Sequence, residues 1–482
     1  MIIRKLLYYT VPFLIFTFAV SCVRKSIPVS GNDAEDIWDT PFSRLTDEEF
    51  FALADYFSPT NVTSEDAMVF AEAAFLMLEK AEPATKSISR HAVSAIPFLG
   101  NLGGGMTKSV ETQDTLAYIV NFSDGNGFAV IAADRRVGPI LAIIPEGKYE
   151  SNHIPPGAAT FFANIGPYLQ RQIENHEKES SKYLSNALKA MYEYLDYSNE
   201  GAEVTKSDGF DLSAFMQPTV SYREVSREET QITPLVTTKW GQDEPYNTQC
   251  PIVQRPIIND AGAIVDYENV NALAGCVATA TAQIMAYWEY PSGYDWDEMK
   301  ANPLGWHVSL DAQNDIARLM RHIGDGVHMT YGFDASSART SDVPSYLSSV
   351  GYSNYGNVFR ITNASSSPYS GSIFSDLQIG RPVIMSVGDL MSDARHAFIV
   401  DGIQRVKINY IRTVTFYSLV SINPPLKEVS YIEERPTSVQ TDTYHCNLGW
   451  DGWYDGWYEA GLLEIDQYEF DKNCYIVHNV EP

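Results

Sequence analysis

Apolar and polar positions recur along the chain with two different periods. In the stretch 63–80, "TSEDAMVFAEAAFLMLEK", Met68, Ala71, Phe75 and Leu78 fall on one helical face, and Thr63 with Asp66 marks an N-terminal cap. Residues 83–112 are rich in Ser, Gly and Pro and read as loop. "TLAYIVNFSDGNGFAVIAAD" then predicts two strands about a turn at Asp124-Gly125, and "GPILAIIP" a third. Residues 158–195 return to helical spacing. From 196 to 230 the chain is polar without sustained apolar periodicity, which predicts an exposed, cleavable connector. The remainder opens with loop and helix and becomes strand-rich after about residue 380.

One helix carries candidate chemistry. In "NALAGCVATATAQIMAYWEY", Val277, Ala280, Thr281, Ile284 and Trp288 share a face, and Pro291 lies just past the end. Cys276 therefore falls at the positive end of the helix dipole, where a thiolate is favoured. Gly275 before it allows close approach of backbone or substrate. For a lone cysteine the commoner role is that of a small buried side chain.

A nucleophilic cysteine needs a base. Of His307, His322, His328, His396, His445 and His478, only His396 has fitting surroundings: "RPVIMSVGDLMSDARHAFIVDG" reads as strand, loop, and a second strand that starts at the histidine. A third group should orient the imidazole. "YHCNLGWDG" supplies Asn447, with Trp450 close by to exclude water. The chain order Cys, His, Asn matches the papain-type arrangement of nucleophile, base and orienter.

Taken together, "GCVATATAQIMAYW", "HAFIVDG" and "YHCNLGWDG" resemble the streptopain family of bacterial cysteine proteases. The resemblance implies an α+β fold: a papain-like protease domain with a helical part and an antiparallel sheet part, preceded by an α+β inhibitory prodomain. "WGQDEPYN" is similar to the family's early segment, which assigns an oxyanion role to Gln242. The hairpin at 117–142 resembles the family's prodomain. The implied organisation is a signal peptide over 1–21, a linker over 22–45, an inhibitory prodomain over 46–195, a connector over 196–230 and a catalytic domain over 231–482. The implied activity is that of a cysteine endopeptidase made as a latent zymogen. Its catalytic residues would be Cys276, His396, Asn447 and Gln242, with Gly275 and Trp450 lining the substrate cleft. Leu448 stands where the family commonly has Trp. The stretch 404–443 is long for the family and predicts a hairpin extension at the cleft rim.

Composition narrows the location and the partners. Arg4 and Lys5, an apolar run from Leu6 to Val20, and small Ser21 form a secretory signal pattern. Ala19-Val20-Ser21-Cys22 resembles a bacterial lipobox, which predicts acylation of Cys22 and a membrane anchor in the cell envelope. A net charge of −27 argues against nucleic-acid partners. No zinc, zincin or serine-hydrolase motif is present, and no cofactor or metal is implied. Expected partners are peptide or protein substrates and the chain's own prodomain. Cys446 and Cys474 read as buried thiols, and export leaves a disulfide at Cys250 open. Rival readings are a peptidoglycan amidase on the same fold and an inactive surface protein that binds through the aromatic stretch 450–458.

Overall fold

The computed structural model describes residues 25–26, 44–58, 60–81, 90–100, 114–199, 218–259, 262–361, 368–388, 395–422, 425–463 and 474–482. A two-residue strand β1 (Lys25–Ser26) precedes helices α1 (Asp47–Tyr56) and α2 (Ser64–Ala81). Both helices start on reciprocal caps. Thr46 Oγ1 accepts from Glu49 N while Glu49 accepts from Thr46 N, and Thr63 and Asp66 repeat the exchange.

Strands β2 (Ala92–Gly100), β3 (Asp114–Phe122), β4 (Phe128–Ala132) and β5 (Ile140–Ile144) form an antiparallel run in that order. The β3–β4 turn lies at Asp124 and Gly125, both with positive φ, as the sequence predicts. The loop expected over 83–112 needs correction, because Ala92–Gly100 is a strand. It occupies the sheet edge, where Pro97 is tolerated and alternation is weak, so its pairing with β3 rather than its own pattern makes it a strand. The long α3 (Pro156–Asn199) completes this domain.

The connector expected over 196–230 differs in its described part. Thr219–Ile232 is strand β6, antiparallel to β11 from Ile403 to Thr415. Neighbouring backbone supplies the order that its polar sequence does not advertise.

An exposed hairpin follows, β7 (Ile252–Ile258) and β8 (Ile264–Asn271). Helices α4 (Cys276–Trp288), α5 (Trp296–Met299), α6 (Leu310–Gly326) and α7 (Val343–Ser349) follow. Then come β9 (Asn354–Ile361), α8 (Pro368–Gln378), β10 (Val383–Gly388), β11 (Arg395–Ile422), β12 (Pro425–Asn447), β13 (Gly456–Glu459), α9 (Ala460–Leu463) and β14 (Cys474–Glu481). One sheet runs through both domains in the order β2-β3-β4-β5-β13-β12-β11-β10-β14-β9, with β1 on β12 and β6 on β11. The architecture is α+β, as expected.

Two cores flank the sheet. Phe161, Ile165 and Leu169 of α3 pack on one face of it with Phe398, Val400, Cys446 and Leu448. Val277, Ile284, Ile316 and Ile323 of α4 and α6 pack on the other with Ala397 and Ile399. The start of β11 thus sends successive side chains to opposite faces, the period of two that a strand imposes.

Candidate active site

Cys276 is the first residue of α4, and Gly275 before it has φ +92°. A Cβ there would lie 2.8 Å from the Met329 side chain and 3.2 Å from Ser336, so the positive φ and this packing are what the position requires. The Cys276 thiol is half-buried and accepts from Ala397 N at 3.4 Å, which sets it directly against the start of β11. Burial pushes the thiol up from its usual range. The N–H groups of Ala397, Val277 and Cys276 pull it down without cancelling that effect. In this state the group is a thiol, not the thiolate expected of an armed site.

His396 is next to Ala397 in the chain, yet its ring lies with the other core. It shares a face with Phe398, whose ring stacks beside it at 6.3 Å, and it lines a cavity of only about 10 Å³ with Gly157, Thr160, Phe161 and Asn164 of α3. Its Nε2 is 2.7 Å from Leu448 O. A carbonyl can only accept, so Nε2 carries the proton and donates. Burial lowers the imidazole to about 4, against a smaller opposing effect of the Leu448 bond. The ring is neutral near pH 7 and makes no hydrogen bond to Cys276 or Asn447.

Asn447 is 3% exposed and fully engaged elsewhere. It exchanges hydrogen bonds with Gln283, donates to Thr238 O at 2.7 Å and accepts from Gly449 N. Gln283 Oε1 also accepts from Thr238 Oγ1 and Trp240 N, so a single buried amide on α4 ties together the segment before Gln242 and the end of β12. This residue escaped the sequence reading. Its only signal is an amide in a helix whose other polar side chains are the hydroxyls of Thr279, Thr281 and Tyr287, two turns after Cys276. Gln242 is buried, its carbonyl accepts from Ala274 N at 2.8 Å, and its Nε2 donates a long 3.4 Å bond to Gly449 O. The loop before Cys276 and the Gln242 segment are thereby held side by side.

Trp450 lines a second cavity of 720 Å³, with Asp243, Glu244, Trp306, Asp451 and Trp453, and Asn152–Pro155 of the segment before α3 close it. The His153 ring lies 4.5 Å from that of Trp453. Leu448 is buried in the core under α3, and its N–H is fixed by Asp455 Oδ1 at 2.7 Å. Among the other histidines, His445 pairs with the fully buried Asp401 at 2.6 Å, a structural role. Cys250 and Cys446 are free and buried, which removes the disulfide left open at Cys250. Cys22 and the signal segment lie outside the described residues, as does the side chain of Cys474. Among the described residues, no group of three or more His, Cys, Asp or Glu side chains is placed to hold a metal ion.

Comparison with known proteins bears on these same segments. Residues 240–293 and 292–458 match the Peptidase C10 family, and residues 59–168 match the Spi protease inhibitor. Streptopain of Streptococcus pyogenes is 23% identical over 394 residues, covering 75% of this chain and 77% of its own length. The thiol protease/hemagglutinin PrtT of Porphyromonas gingivalis is 22% identical over 61% of this chain but 32% of its own. Among solved structures, a prointerpain A fragment of Prevotella intermedia is 24% identical, with a TM-score of 0.45 over 77% of this chain and 98% of that one. Active interpain A of the same organism is 26% identical, with a TM-score of 0.36 over 52% of this chain and 96% of that one.

Proposed function

Because the chain belongs to the streptopain family of cysteine endopeptidases and carries an inhibitory prodomain, we propose that Cys276, His396, Asn447 and Gln242 are its catalytic set and that α3 keeps it latent by holding His396 away from Cys276. The observation that carries this reading is the pair of neighbours at the start of β11. Ala397 N–H touches the Cys276 sulfur while the His396 ring is packed against Gly157.

Activation then has a defined content. With α3 gone, the face occupied by His396 is open to water, and the ring regains an ordinary affinity for protons. Turned toward α4, it takes the Cys276 proton, and the thiolate attacks a peptide carbonyl. The Cys276 N–H and the Gln242 amide meet the oxyanion. The imidazolium protonates the leaving amine, and water releases the acyl-enzyme. Asn447 is already held by Gln283 and Thr238, and it orients the ring once its Oδ1 exchanges the bond from Gly449 N for one from the imidazole.

The substrate is a peptide or protein, and the scissile step needs no metal. Export through the 1–21 signal and anchoring through acylated Cys22 complete the reading. Gln242 must remain with the enzyme, so the activating cut falls between about 200 and 232; the pairing of Thr219–Ile232 along β11 favours the part within 200–217, between α3 and β6. The test is to add a trace of active enzyme to full-length Cys276→Ala protein and sequence the new N-terminus. Cys276→Ala is expected to fold, to lack all peptide hydrolysis and to be cut once in that interval. Residual hydrolysis near the wild-type rate would remove Cys276 from its role, and a cut beyond Gln242 would overturn the activation scheme.

A further inference from the structure

The hairpin of β11 and β12 continues far beyond the catalytic strands. Its outer half does not rim the cleft, as the sequence suggests, but lies against the prodomain. Arg412 and Arg435 are opposite each other in the ladder and are 2% and 1% exposed. Arg412 donates to Phe51 O at 3.4 Å and to Asp55 Oδ1 at 3.1 Å, at the C-terminal end of α1, with its guanidinium 4.7 Å over the Phe51 ring. Arg435 donates to Thr46 O at 2.6 Å and to Asp47 Oδ1 at 3.0 Å, at the N-terminal end, 4.6 Å over the Phe50 ring. One helix is thus held at both ends by planar, charged donors that also stack, the combination for which arginine is suited.

A small apolar core backs the two arginines. Phe50 and Leu53 of α1 and Ala187 and Met191 of α3 bury against Val414 of β11, with Val220 of β6 beside them. This core is separate from the one around His396. Every group in it lies before residue 200 or after 218, so a cut between those positions breaks none of its contacts.

We propose that the β11–β12 hairpin is a docking surface for prodomain helix α1 that keeps the severed prodomain attached to the catalytic domain. This rests on the reading that activation cuts between α3 and β6. The first cut then yields a two-piece complex rather than a free enzyme. The prodomain remains a bound inhibitor until it is displaced or digested. If Cys22 is the anchor, the complex stays at the membrane although no covalent link remains.

The experiment separates retention from activation. A recognition site for an unrelated protease is placed within 200–217 of the full-length Cys276→Ala chain, which is then cut completely and run on gel filtration over a dilution series. The two pieces are expected to co-elute at micromolar concentration. Adding Arg412→Ala and Arg435→Ala should raise the dissociation constant about tenfold or more, because each truncation removes a buried, stacked guanidinium with its two hydrogen bonds into α1. Asp47→Ala, at a partly exposed helix position, is the milder variant and should weaken retention by a few-fold. With Cys276 intact and the prodomain removed, the arginine variants should keep the parent kcat/KM, which shows that the catalytic domain folds. Separate elution of the parent pieces at micromolar concentration overturns the proposal, as does equal retention with and without the two arginines. A chain that active enzyme does not cut in that interval refutes the activation reading alone.

Discussion

His396 carries its only proton of the neutral state on Nε2, in a cavity with room for about one water. Its folded-state value is about 4, against 6.5 for the free side chain. Between those values the unfolded chain binds more protons than the folded one, so the latent form gains stability as pH rises and loses it as pH falls. The thermal midpoint of Cys276→Ala zymogen should therefore drop on acidification from about pH 7 to about pH 5, and His396→Gln should remove part of that drop. An identical drop in both proteins would mean that another group, such as His176, which burial also lowers, carries the effect. Cys276, His396 and Asn447 were legible as candidates because helix start, strand start and chain order leave few alternatives. The direction of the His396 ring was not, since a helix about 240 residues earlier sets it. Nor was Gln283, whose role appears only once Asn447 and Thr238 are brought to it.

The elements most readable in sequence were those whose pattern is local. Thr63 with Asp66 and the Asp124-Gly125 turn needed nothing beyond a few residues. β2 and β6 were missed because neither has a clean alternation, and each is held as a strand by its partner, the following β3 for one and the distant β11 for the other. The first turn of α3 offers a direct test of latency at this scale. A Cβ on Gly157 would lie 2.6 Å from His396 Cδ2 and 2.7 Å from Nε2. Alanine favours the helix itself by up to about 1 kcal/mol, so any loss must come from docking. Gly157→Ala should weaken docking by about 1–3 kcal/mol, as overpacking of a tight contact does. The readout is hydrolysis of a small peptide by the uncut zymogen, expected to rise. Unchanged latency would mean that His396 has room to yield and that α3 does not hold it.

At the scale of the whole molecule, the inhibitor region and the protease region share one sheet. The ladders that join them are short: Ala142 faces Tyr458 and Ile143 faces Trp457 in β5–β13, and Lys25 faces Glu434 and Ser26 faces Glu433 in β1–β12. A seam of two rungs can open without unravelling either half, whereas the Arg412 and Arg435 grip is built to last. Opening the β5–β13 seam strips β13 of a neighbour, and a strand without a neighbour is a template for any other strand. Purified catalytic domain should therefore show concentration-dependent light scattering that uncut zymogen lacks, and re-addition of prodomain should abolish it. Scattering that is the same for both would show that four residues are too few to recruit a partner. The inhibitor thus doubles as a stopper on an adhesive edge. The cell that discards it gains a protease and, with it, a colloid that has to be kept dilute.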